Sequence, residues 1–213
     1  MFKHLLWDLD GTLTDPKNGI IRSIQYALKE FDMPVPEESD LLWCIGPPLH
    51  HSFALLVPGL SEQEAWKFIE KYRERFATVG LFENAVYENI PALLMILKDR
   101  KNFVATSKPQ VYASQIINHF KLDPFFLSVY GSELDGTRSD KGDLIQFILE
   151  TEKISRNDVV MIGDRKYDIL GAKKAGIAAI GVSWGYGSEE ELKNSGAEYI
   201  FSAPADLQLF LAQ

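Results

Sequence analysis

Five short apolar runs, each closed by polar or glycine residues, limit how this chain can fold. The first is His4-Leu5-Leu6-Trp7, and the others span 103–107, 128–132, 159–164 and 178–183. Runs of this length and near-continuous apolarity read as buried parallel strands. Amphipathic segments at 90–97, 111–120, 144–149 and 169–175 separate them. The alternation predicts an α/β fold, a doubly wound parallel sheet with a Rossmann-like core, to which 199–201 add one more strand. Sheets of this kind bind ligands beyond the carboxyl ends of their strands, where the polar terminators of these runs gather.

Between the first run and the second lies an insertion without strand pattern, far longer than a helical crossover requires. It must form a domain of its own. After Asp15-Pro16, apolar residues recur with helical spacing at Ile20, Ile21, Ile24, Ala27, Leu28 and Phe31. Ser61-Glu62-Gln63-Glu64 is a capping-box pattern ahead of Ala65, Phe68, Ile69, Tyr72 and Phe76. Met33-Pro34-Val35-Pro36 and Gly46-Pro47-Pro48 supply turns between these helices. We therefore expect an all-helical cap domain over 16–80, inserted into a core made of 1–15 and 81–213, with hinges at 14–19 and 79–84. Trp43, Phe53 and Trp66 are expected in the cap core.

The first run delivers two acids, Asp8 and Asp10, followed by a glycine turn at Gly11. Side chains alternate along a strand, so both carboxylates face one way while Trp7 and Leu9 face the other. Two anions that close repel unless a cation joins them or one keeps its proton, which points to a metal, a proton-transfer site, or both. The run ending at Asp164 brings a third carboxylate to them if its strand is adjacent to the first, and Asp168 follows at one helical turn. Three carboxylates around one point suit a hard divalent cation with oxygen ligands, Mg²⁺ among them, and a phosphate would complete the shell. Thr106 and Ser107 close the second run, where hydroxyls and following amides can hold phosphate oxygens. Lys141 opens a helix after a polar loop and supplies the positive charge that a dianionic phosphate needs, and its spacing and helix-start position favour it over Lys108 for this role.

The chain carries 30 Asp and Glu against 22 Lys and Arg, a formal net charge of −8. That sign argues against nonspecific binding to nucleic acid or to an anionic membrane. Cys44 is the only cysteine, so neither an intrachain disulfide nor a cysteine-based zinc site can form. No segment approaches about 18 consecutive apolar residues. A reducing cytoplasm fits these features.

DLDGTLTD at 8–15, VATSK at 104–108, Lys141 and GDRKYD at 163–168, in that order, resemble the four motifs of the haloacid dehalogenase superfamily of phosphohydrolases. With its helical cap the chain is similar to the phosphoglycolate phosphatase-like group, as are Ser183-Trp184-Gly185-Tyr186-Gly187 and Ile45-Gly46-Pro47-Pro48-Leu49. The resemblance implies a Mg²⁺-dependent phosphatase that hydrolyses a small phosphomonoester such as 2-phosphoglycolate through an aspartyl phosphate. In that reading Asp8 is the nucleophile, and Asp10 is the acid that protonates the leaving oxygen and then activates water. Asp8, the backbone carbonyl of Asp10, and Asp164 would hold the metal, with Asp168 in support. Thr106 and Lys141 would stabilise the transferring phosphoryl oxygens, Ser107 and Gly11 would support the site, and Gly46 and His50 in the cap loop would contact substrate. Dehalogenation is excluded, because it has no use for a leaving-group acid or a metal. A 5'-nucleotidase acting on nucleoside monophosphates and a β-phosphoglucomutase-like phosphotransferase are the alternatives. The partner implied is a small phosphorylated metabolite, and the chain is expected to be a monomer or a homodimer.

Overall fold

The apolar runs stand side by side. In the computed structural model, which describes residues 2–212, the strands are β1 (His4–Trp7), β2 (Thr14–Asp15), β3 (Ala85–Val86), β4 (Lys101–Pro109), β5 (Ser128–Ser132), β6 (Val159–Gly163), β7 (Ala178–Val182) and β8 (Tyr199–Phe201). The helices are α1 (Lys17–Glu30), α2 (Leu49–Leu56), α3 (Glu62–Phe76), α4 (Ile90–Ile96), α5 (Gln110–His119), α6 (Lys141–Thr151), α7 (Lys166–Ala175), α8 (Glu189–Ser195) and α9 (Pro204–Leu211). All six expected runs join one parallel sheet in the order β5-β4-β1-β6-β7-β8, and β2 pairs with β3 apart from it. The chain builds outward from β1 through β4 to β5, then returns to the middle and builds outward again through β6 and β7 to β8. The order therefore reverses between β1 and β6, and a ligand crevice opens at such a reversal. Trp7 stands level with Ile162, so Asp8 and Asp164 leave the sheet together.

Alternation along the strands settles what each face buries. Leu6, Phe103, Ala105, Met161 and Ala179 share one cluster with Leu144, Ile145 and Ile148 of α6 and Ile169 and Ala172 of α7. Trp7 points to the other face, where its Nε1 donates to Asn102 Oδ1 at 3.0 Å and Asn102 Nδ2 donates to the Leu97 carbonyl at 3.0 Å. Those buried polar atoms are thereby satisfied. The start of α6 is capped by Asp140, whose carboxylate accepts from the Asp143 N–H at 3.0 Å.

The chain divides into two compact units, Met1–Asp15 with Val86–Gln213, and Pro16–Ala85. The second unit is helical. Its core takes Ile20, Ile21, Ile24, Ala27 and Leu28 from α1 and Phe68, Ile69, Tyr72 and Phe76 from α3. Phe68 stacks on Phe31 at 4.3 Å and meets Phe53 at 5.5 Å between ring centres. The capping box forms as expected: Ser61 Oγ accepts from the Glu64 N–H at 3.3 Å and Ser61 N–H donates to Glu64 Oε2 at 2.9 Å. Of the three aromatics expected in this core, Phe53 is fully buried, but Trp43 is 38% exposed and Trp66 is half-buried. Trp43 sits on a 3₁₀ turn that buries Leu41 and Cys44 instead, and Trp66 stands next to the buried Ala65 position with Arg73 over its ring. The return to the core falls after Ala85, against an expectation of 80, because Glu83 pairs with Arg75 at 2.7 Å and its carbonyl accepts from Gly19 N–H at 3.0 Å. Among the described residues, no helix is long and apolar enough to cross a membrane.

Met161 lies at the centre of the packed face. Met161→Ala should lower unfolding stability by about 2–5 kcal/mol in a denaturant titration, whereas Leu209→Ala, at a site 66% exposed, should stay within about 0.5 kcal/mol.

Candidate active site

The strand β1 ends at Trp7, but Asp8 still donates its N–H to the Ile162 carbonyl at 2.9 Å and so stays level with β6. A turn then begins. Gly11 takes the left-handed φ of +91°, and a Cβ there would stand 2.2 Å from Asp164 Oδ2. Only glycine meets both conditions without strain. The turn returns Thr12 to Asp164, whose Oδ1 accepts from the Thr12 hydroxyl at 3.3 Å.

A bulge shapes the end of β4. Its pairing with β5 slips between Ala105 opposite Tyr130 and Pro109 opposite Ser132, so β4 advances four residues while β5 advances two. Bulges re-aim side chains beside active sites. Gly131 admits this one, since a Cβ there would lie 2.5 Å from the Lys108 carbonyl. Ser132 Oγ donates to the Ser107 carbonyl at 2.9 Å, and Lys108 N–H donates to Thr106 Oγ1 at 3.3 Å. The slip leaves the Lys108 ammonium donating to Asp10 Oδ2 at 2.5 Å.

Lys141, the first residue of α6, reaches the same space. Its Nζ lies 2.8 Å from Asp8 Oδ1, from Asp168 Oδ1 and from the Ala105 carbonyl, which accounts for all three of its donors. Close approach of α6 and α7 allows this, because a Cβ on Gly171 would stand 2.7 Å from Lys141 Cβ. Asp168 also accepts from the Arg165 N–H at 3.1 Å, and Asp164 Oδ2 accepts from the Tyr186 N–H at 2.8 Å.

Asp8, Asp10, Asp164 and Asp168 are each at most 7% exposed. Burial pushes Asp10 above the usual carboxylate range, against the opposing charge of Lys108. It pushes Asp164 and Asp168 up as well; the charges of Asp168 and Asp8 add to the effect at Asp164, and Lys141 opposes it at Asp168. Burial also works against the Lys141 charge, but Asp168 and Asp8 outweigh it and hold the ammonium above its ordinary range.

Ligand atoms of Asp8, Asp164 and Asp168 all lie within 4.8 Å of one another. Three buried, mutually repelling carboxylates form a donor set that fits a hard divalent cation. The side chain of Asp10 stands outside this group. Lys108 holds its Oδ2, and its Oδ1 is buried with no hydrogen-bond partner. The acid cluster thus takes in Asp168, expected in support directly or through another ligand, and leaves out the side chain of Asp10, for which only the main-chain carbonyl was expected at the metal. Gly46 and His50 belong to the helical unit. Gly46 has a left-handed φ of +106°, and His50 lies in α2 stacked on Trp66 at 6.3 Å. Thr12, Lys108 and Tyr186 were not among the expected site residues, although all three fall inside the quoted motifs.

Haloacid dehalogenase-like hydrolases match this chain over residues 5–182. A 5'-nucleotidase of Pseudomonas aeruginosa is 47% identical over 194 residues, covering 90% of this chain and 87% of that protein. The tyrosine-protein kinase PtkA of Mycobacterium tuberculosis is 36% identical over 185 residues, covering 86% of this chain and 62% of the kinase. The crystal structure of a predicted phosphatase from Clostridium acetobutylicum superposes with a TM-score of 0.96 at 45% identity, covering 99% of this chain and 98% of that one. With the motifs meeting at the reversal of the sheet and these similarities along nearly its whole length, the chain belongs to the haloacid dehalogenase-like hydrolase family.

Proposed function

We propose that this chain is a Mg²⁺-dependent phosphatase that takes the phosphoryl group of a small phosphomonoester onto Asp8 and then hydrolyses the aspartyl phosphate. The observation that carries this reading is the division of labour among buried charges: Lys141 engages Asp8, Lys108 engages Asp10, and Asp8, Asp164 and Asp168 form a cluster fit for a divalent cation.

Each residue has a step. Lys141 fixes Asp8 through Oδ1 for attack on phosphorus and shares the charge that spreads over the phosphoryl oxygens. Thr106 and Ser107, on the bulge of β4, offer a hydroxyl and main-chain groups to the same oxygens. Asp10 keeps a proton more readily than an exposed carboxylate does, and Oδ1 is the oxygen without a partner. It gives that proton to the leaving oxygen, then takes one from the water that attacks the aspartyl phosphate. Asp8, Asp164 and Asp168, with the main-chain carbonyl of Asp10, would hold Mg²⁺, which supplies charge neutralisation for the incoming phosphate. Asp164 is kept in place by Thr12 and Tyr186.

Substrate choice is assigned to residues of the helical unit, Gly46 and His50 among them. Similarity to the nucleotidase puts a nucleoside monophosphate ahead of 2-phosphoglycolate, and similarity to PtkA supports phosphotransfer as the second reading. A cytoplasmic location fits the single cysteine, Cys44.

Phosphate release measured with Mg²⁺ over nucleoside monophosphates, 2-phosphoglycolate and β-glucose 1-phosphate should show turnover that EDTA stops and added Mg²⁺ restores. Asp8→Asn should lower it by about a thousandfold or more with the fold intact, and turnover at the wild-type rate in that variant would end the assignment. Recovery of the phosphoryl group on an acceptor, without free phosphate, would favour phosphotransfer. In thermal melts, Mg²⁺ at about 100 times its Kd should add about 2.7 kcal/mol of stability, and Asp164→Asn should lose that gain.

A further inference from the structure

Tyr186 is bonded at both ends, and the chemistry above uses only one of them. Its main-chain N–H donates to Asp164 Oδ2 at 2.8 Å, across from the Thr12 hydroxyl on Oδ1. Its phenol donates to Asp15 Oδ1 and lies beside Tyr87. Asp15 is the last core residue before the chain enters the helical unit, and Tyr87 is the second after it returns. One residue therefore ties the point where the chain leaves the core to a carboxylate of the acid cluster, while the return strand is held to the same stretch by the Tyr87 N–H donating to the Leu13 carbonyl at 3.1 Å.

The loop that carries Tyr186 is built for close contact with that carboxylate. A Cβ on Gly185 would stand 2.2 Å from the Gly11 carbonyl and 2.4 Å from Asp164 Oδ2, and one on Gly187 would stand 1.9 Å from the Asp164 carbonyl. Trp184 Nε1 donates to the Thr12 carbonyl at 3.0 Å, which clamps the loop to the same turn that supplies the Thr12 hydroxyl. The loop is held further by the Ser183 N–H, which donates to the Phe201 carbonyl at 3.0 Å, and by the Tyr186 hydroxyl on Asp15.

We propose that Tyr186 is a positioning residue: held by Asp15 at its hydroxyl, it aims Asp164 at the cation, and cation binding in turn orders the crossover at Asp15. The inference rests on the metal-centre reading given under Proposed function. The two directions are one coupling, since whatever the tether adds to cation affinity the cation returns to the tether. Groups that orient metal ligands from outside the coordination shell change affinity by about 10–100-fold when removed.

The test uses Mn²⁺ as the probe on the full chain, with binding followed by the electron paramagnetic resonance of the free ion and main-chain hydrogen exchange followed by mass spectrometry. Tyr186→Phe keeps the ring, and Asp15→Ala removes only the acceptor. Each should bind Mn²⁺ about tenfold more weakly than the wild type, and the double variant should be no weaker than Tyr186→Phe alone. Asp15→Asn retains an acceptor oxygen and should bind close to the wild-type value. Mn²⁺ should slow exchange at residues 14–16 and 85–87 in the wild type and much less in Tyr186→Phe, a difference that loss of packing alone would not produce. Wild-type affinity and wild-type exchange response in Tyr186→Phe, with the melting temperature retained, would overturn the tether and leave the metal centre standing. Absence of Mn²⁺ binding by the wild type would overturn both.

Discussion

Four carboxylates and two ammonium groups meet beyond the ends of β1 and β6, nearly shut off from water, and four negative charges against two positive ones leave an excess that burial cannot tolerate. The upward push on Asp10, Asp164 and Asp168 is the response: burial favours their neutral forms, and a further cation would oppose that push. A divalent cation would supply that charge through the carboxylates of Asp8, Asp164 and Asp168. A dianionic phosphate would bring charge of the opposite sense, so in the proposed reaction cation and substrate would favour each other at this point of the fold. Buried ion pairs of this kind add little net stability, and their value lies in what they prepare.

The rest of the molecule brings these groups together. Reversal of strand order sets Asp8 beside Asp164, the bulge on β4 turns Lys108 toward Asp10, and the tight packing of α6 on α7 carries Lys141 between Asp8 and Asp168. Each contribution comes from a separate stretch of chain. None is worth much alone, since a lysine without its acids or an acid without its lysine would be a buried unpaired charge.

Much of this was legible in the residues. Apolar runs with polar ends identified all six strands of the sheet, because a strand buried on both faces has little freedom in composition. Helical spacing and the Ser61 capping box likewise marked the inserted unit. Lys108 was set aside in favour of Lys141, yet both lysines reach the acids, because the bulge that turns Lys108 inward is a property of two strands and leaves no mark in the sequence of one. Asp168 was expected in support of the metal, and its carboxylate lies with those of Asp8 and Asp164, while Lys108 holds the side chain of Asp10. Trp43 and Trp66 were read as cap core because aromatic side chains favour burial, yet Trp is rarely fully buried.

Trapping the covalent intermediate tests the central claim most directly. Borohydride added during turnover reduces an aspartyl phosphate to homoserine, and peptide mass spectrometry locates the change. Substrate-dependent conversion at Asp8, and not at Asp10, Asp164 or Asp168, is the predicted result. Sustained turnover with Asp8 unmodified, and with phosphoryl label recovered elsewhere on the chain or on no residue, would contradict it.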